Sequence, residues 1–138
     1  MERFSMNGII WNVHFVPQNS LYLIDRTGQR TVATTDTKTK NVYLSESLCG
    51  SFLKRVLLHE LGHCALYSYG LLDDIHRVVS PANWIYAEEL ICNLIADYGE
   101  IIFDRLYDLY GYHAWKYIPN YLENTKRWKR YGSSIISY

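Results

Sequence analysis

The apolar positions change their period near residue 50. Upstream, "GIIWNVHFV" (Gly8 to Val16) is rich in β-branched and aromatic residues and stops at Pro17, "SLYLID" follows, and "QRTVATTD" and "KNVYLSESL" flank a polar "TKTK" connection. Short runs of this kind, with "TGQ" at Thr27 to Gln29 as a turn, predict a small sheet of three or four strands. Downstream, Phe52, Val56, Leu57, Leu61, Cys64 and Ala65 recur at helical spacing, with Ser51 placed to cap a first helix and Gly70 to stop it. "LLDDIHRVVS" reads as a connection with a short turn of its own. From Ser80 and Pro81, a favoured cap and first-turn pair, a second helix runs to about Gly111. Residues 112–138 form an aromatic and basic extension. The expectation is an α+β fold in one domain spanning 1–138, a small N-terminal sheet packed on a first helix and a second, long one.

Composition narrows the classes open to such a chain. Its 138 residues are 49% hydrophobic and 15% aromatic, enough for a core without staples. The 14 basic and 14 acidic residues cancel, so no overall field points to nucleic acid or an anionic membrane. No 18 apolar residues run together, and no basic region precedes an apolar core and a small-residue cleavage site, which argues against a spanning or signal segment. Cys49, Cys64 and Cys92 are odd in number and unrelated in spacing, two of them inside helical apolar pattern. Buried thiols in a reducing compartment fit, so the expected location is the cytoplasm.

The specific chemistry lies in "LLHELGHCAL", Leu57 to Leu66. On a helix, His59 and His63 are four apart and share a face, so both imidazoles can reach one metal ion. Glu60 lies one position round, beside such an ion and not on it. That arrangement lets a carboxylate take the proton of a zinc-activated water, which is why H-E-x-x-H on a helix reads as a hydrolase site. A chance match in a chain this short is on the order of one in a hundred. Gly62 inside the helix costs about 1 kcal/mol relative to alanine, so close approach of another backbone or of a substrate is expected there.

A catalytic zinc takes three protein ligands and keeps its fourth position open. The metzincin continuation is absent, because Leu66 and Tyr69 stand where it requires glycine and histidine. The second helix offers Glu88 and Glu89. Metal-bound histidines donate their other N–H to a hydrogen-bonding group, and four residues after Glu89 comes Asn93, whereas four after Glu88 comes Cys92. This spacing favours Glu89 as ligand, with Asn93 as the group that takes a ligand histidine's other N–H, and leaves Glu88 as the alternative.

"HELGH" followed by "EELICNLIAD" resembles the ImmA/IrrE family, small zincins of phages, mobile elements and stress regulators that use a glutamate as third ligand. Glu89, Cys92, Asn93, Ile95 and Ala96 follow the order of that family's second motif, and the resemblance covers roughly residues 40–99. Cys92 stands where alanine is commoner, and the usual apolar-proline ending is absent. The resemblance implies a minimal zincin-like fold, with zinc held by His59, His63 and Glu89 and with Glu60 as general base.

Other candidates carry less. His76 lies in the connection where SprT-like zincins place a third histidine, but "DDIHRVVS" does not follow their pattern. His14 and His113 read as structural. Tyr67, Tyr86 and Tyr98 are candidate donors to a developing oxyanion. "KRWKR" (Lys126 to Arg130), with Tyr121 and Tyr131 nearby, mixes charge and stacking but reads more simply as a solvated basic face. "KNVYLSESL" is the candidate edge strand that would pair with an extended substrate. The expected function is a zinc endopeptidase acting on a protein or peptide partner, for example a repressor or other regulator. The alternative is a zincin-fold interaction protein, such as a phage inhibitor or antirepressor, that keeps the metal structurally and acts by binding.

Overall fold

The computed structural model describes residues 2–111 and Ala114. The expected roles of His113, Tyr121, "KRWKR" and Tyr131 therefore lie outside the described residues. The architecture is α+β. A four-stranded mixed sheet, β1 (Glu2–Met6), β2 (Ile9–Val16), β3 (Ala33–Asp36) and β4 (Asn41–Ser45), is followed by helices α1 (Gly50–Ser68), α2 (Leu71–Val78) and α3 (Trp84–Tyr110).

The strands lie in the order β1-β2-β4-β3. β1 and β2 form an antiparallel hairpin through Asn7 and Gly8, both at positive φ (50° and 78°), the backbone a tight two-residue hairpin turn demands. β4 runs parallel to β2, pairing Val13 with Val42, and antiparallel to β3, so β3 is the outer strand on the side away from β1. This corrects the expectation for "KNVYLSESL": its strand is interior, and the edge falls to "ATTD". "SLYLID" is not a strand either. Ser20 Oγ accepts the Tyr22 N–H at 3.2 Å, and Leu21–Leu23 close into a 3₁₀ turn.

Period-two burial turns Trp11 and Val13 of β2 and Val42 and Leu44 of β4 to one face, where they pack with Leu48, Val56 and Cys64 of the α1 region. Trp11 is fully buried and its indole N–H donates to Ser68 Oγ at 3.0 Å, which ties the end of α1 to the sheet. α1 begins one residue before the expected cap, with Cys49 in the cap position and no side-chain cap bond. Gly70 sits at φ +73° and separates α1 from α2, a helix where a connection was expected. Leu66, Ile75 and Cys92 form a second apolar cluster joining the three helices.

α3 lies along α1. Arg55 Nε pairs with Asp97 at 2.6 Å and Lys54 with Glu100 at 2.9 Å, so early α1 meets mid α3 and the chains run antiparallel. The α3 row facing inward is Glu88, Cys92 and Ala96, spaced four apart. Among the described residues no helix is long and apolar enough to cross a membrane.

Candidate metal centre

Gly62 explains how α3 comes so close. A Cβ built on it would lie 3.1 Å from Cys92 Sγ and 3.4 Å from Cys92 Cα, so any larger residue would press on α3 at this separation. The close approach expected at Gly62 is therefore that of α3. It sets Glu88 and Glu89 opposite His59 and His63.

His59 Nε2 and His63 Nε2 are 3.1 Å apart. Glu89 Oε2 lies 3.0 Å from His59 Nε2, and Oε1 lies 3.3 Å from His63 Nε2. His59, His63 and Glu89 thus form a group that could hold a metal ion, with ligand atoms all within 4.8 Å of one another. Ligand bonds of about 2.0–2.2 Å in a tetrahedral site put neighbouring donors about 3.3–3.6 Å apart, so these donors, at 3.0–3.3 Å, would have to spread by a few tenths of an ångström to surround an ion. Two imidazoles and one carboxylate are also a borderline donor set suited to a first-row divalent ion.

The surroundings orient these donors. His63 Nδ1 lies 2.9 Å from Glu88 Oε1, with both side chains about one-tenth exposed. With Nδ1–H donated to Glu88, Nε2 is the atom that faces the convergence, where a metal cation would take the place of its proton. The other Glu88 oxygen accepts from Arg26 Nη1 at 3.0 Å. Burial opposes the Glu88 charge, but hydrogen bonds from His63 and Arg26 outweigh it and hold its carboxyl below the usual range. Hydrogen bonds from His59 and His63 hold Glu89 well below that range. Burial disfavours a charged His63, yet hydrogen bonds to Cys92, Glu88 and Glu89 prevail and lift it to about 12. The three donors call for positive charge where they meet.

Glu60 is 6% exposed and lines the same cleft. Its Oε2 accepts from Thr35 Oγ1 of β3 at 2.5 Å, and burial is the main cause raising its pKa. The cleft encloses about 680 Å³ between β3, the Leu21–Arg26 segment, Tyr43 and the two helices, within the range of ligand sites.

Asn93 is a correction. It is exposed, four residues beyond Glu89 on a row that faces outward, and among the described residues the partner of His63 Nδ1 is Glu88 instead. The row turned into the seam starts at Glu88, which takes the orienting part. His76 is exposed and stacks on Trp84 with ring centroids 3.9 Å apart, away from the centre. His14 bonds Asn41 Oδ1 at 2.8 Å in a structural contact. Tyr67 packs edge-on against Trp11, and Tyr86 and Tyr98 are exposed on α3. The tyrosines that line the cleft are Tyr22 and Tyr43, stacked with centroids 4.4 Å apart. Thr35 and Arg26 were missed as well, and a polar "DRTGQ" turn carries no local sign of such a distant contact.

Among known proteins, no family model matches the chain and no curated protein shows significant similarity to it.

Proposed function

We propose that this protein is a zinc-dependent endopeptidase of the ImmA/IrrE type, acting in the cytosol on a polypeptide partner. The observation that carries the reading is the convergence of His59 Nε2, His63 Nε2 and the Glu89 carboxylate at one point of a cleft that also holds Glu60. Bound there, zinc supplies the Lewis acidity that polarises a scissile carbonyl and acidifies water. Glu60 takes the proton of the attacking water and passes it to the leaving amine. Thr35 Oγ1 holds the Glu60 carboxylate in orientation from the strand side. The outer strand β3 borders the cleft, so an extended substrate segment lies along it by strand addition, which favours a polypeptide over a small amide. The free thiols Cys64 and Cys92, both buried, suit a reducing compartment.

Glu60→Gln tests the reading, because it keeps shape and removes the base. Zinc content, measured by elemental analysis, should stay at the wild-type level. Peptidase activity, or the protein's effect on its partner in cells, should fall by roughly 10²–10⁴-fold. A variant that binds zinc and acts with full strength would leave the interaction protein as the surviving account.

A further inference from the structure

We infer that Arg26 is a positioning residue that divides the work between the two adjacent glutamates of α3, holding Glu88 on His63 and leaving Glu89 free to be a metal ligand. The inference rests on the metal-site reading above and adds a residue outside both motifs. Glu88 and Glu89 are neighbours in sequence and both touch one imidazole: Glu88 Oε1 reaches His63 Nδ1 at 2.9 Å, and Glu89 Oε1 reaches Nε2 at 3.3 Å. Two carboxylates this close to one ring compete for it unless something separates them.

Arg26 supplies the asymmetry. Its Nη1 lies 3.0 Å from Glu88 Oε2, whereas its Nη2 is 3.6 Å from Glu89 Oε1. Glu88 therefore has both oxygens engaged, one by His63 and one by the guanidinium, and is buried. Glu89, more exposed, keeps its strongest contacts for the two Nε2 atoms. Delivery of the guanidinium is itself fixed. Asp25 Oδ1 accepts from Thr27 N at 2.8 Å, Thr27 Oγ1 at 2.6 Å and Gln29 N at 3.0 Å, and Ile24 bridges to Arg30 across the turn. Gly28 at φ +85° closes that turn. A planar fork suits two carboxylates side by side, and a lysine ammonium does not.

The experiment measures zinc affinity of the full chain by competition with a chelator for wild type, Arg26→Gln, Arg26→Lys, Glu88→Gln and the double variant Arg26→Gln/Glu88→Gln. The visible spectrum of each with cobalt(II) reads the ligand set. Arg26→Gln and Glu88→Gln should each weaken zinc binding by about 10–100-fold. The double variant should be no weaker than about the weaker single, since both act through one chain of contacts. Lysine should restore only part of the loss, and the cobalt bands of Arg26→Gln should shift, which a merely structural role would not produce. Wild-type affinity in Arg26→Gln, or losses that multiply in the double variant, would overturn this inference alone. If Arg26→Gln does not fold, an unchanged affinity in Glu88→Gln overturns it equally. A wild-type chain that takes up no zinc would sink the site reading itself.

Discussion

α1 separates two interiors built on opposite rules. Toward β2 and β4 it packs Val56 and Cys64 against Trp11, Val13, Val42 and Leu44. Toward α3 and the cleft it presents Glu60 and His63, which with Glu88 of α3 are all under 10% exposed. Burying an ionisable group is costly unless it is paired, and here each one is: Glu60 by Thr35, His63 by Glu88, Glu88 by Arg26. The dry side supplies free energy that the polar side consumes in holding donors at fixed positions. Only His59 Nδ1 breaks the rule at the centre, buried without a hydrogen-bond partner among the described residues.

If this division is real, a substitution in the polar seam should damage binding and stability together. His63→Ala removes a donor and leaves Glu88 buried with Arg26 as its remaining partner. Zinc uptake should vanish, and the metal-free protein should lose about 3–5 kcal/mol, the usual effect of breaking a buried pair from one side. Elemental analysis and urea midpoints report the two losses separately. Retained zinc in this variant would remove the triad.

The dry side should behave in the opposite way. Leu44→Ala at a fully buried position should destabilise by about 2–5 kcal/mol and leave the zinc affinity of the folded protein unchanged. Chelator competition well below the melting transition checks the second half. A weakened affinity would mean that the two interiors are coupled through α1 and the comparison fails.

The two interiors were also unequally legible in the chain. Period-two burial around Trp11 and Leu44 and the change to helical spacing after residue 50 are local signals, so the α+β class could be read directly. The pairing of His59 and His63 is local too, a matter of four residues on one helix. What escaped depended on distance or on weak pattern. β1 is "ERFSM", mostly exposed, and its sign is the Asn7-Gly8 turn and not its own residues. α2 is eight residues long and hidden behind Gly70. The choice of Glu88 over Asn93 as the orienting group turns on which row of α3 faces α1, and that is set by Gly62 and Cys92 meeting across the seam. Arg26 arrives from a turn more than 60 residues earlier in the sequence, beyond the reach of periodicity.

The same meeting point gives the smallest and sharpest test of how tight the seam is. Alanine in place of glycine inside a helix is worth about 1 kcal/mol by propensity alone, so Gly62→Ala should stabilise α1 if space were free. Space is not free, because the new Cβ would stand 3.1 Å from Cys92 Sγ, and the sulfur or the whole of α3 must yield by a few tenths of an ångström. Overpacking of this kind costs about 1–3 kcal/mol, which outweighs the propensity gain and makes Gly62→Ala destabilising by up to about 2 kcal/mol. Cys92→Ala removes the sulfur and leaves contacts at 3.4 Å, at the edge of ordinary van der Waals distance. In that background Gly62→Ala should become neutral or stabilising, a reversal of sign within one double-mutant cycle. Urea midpoints of the four proteins measure it. Equal effects of Gly62→Ala in both backgrounds would mean that the helices do not close on Cys92, and that something other than α3 accounts for the glycine beside the two histidines.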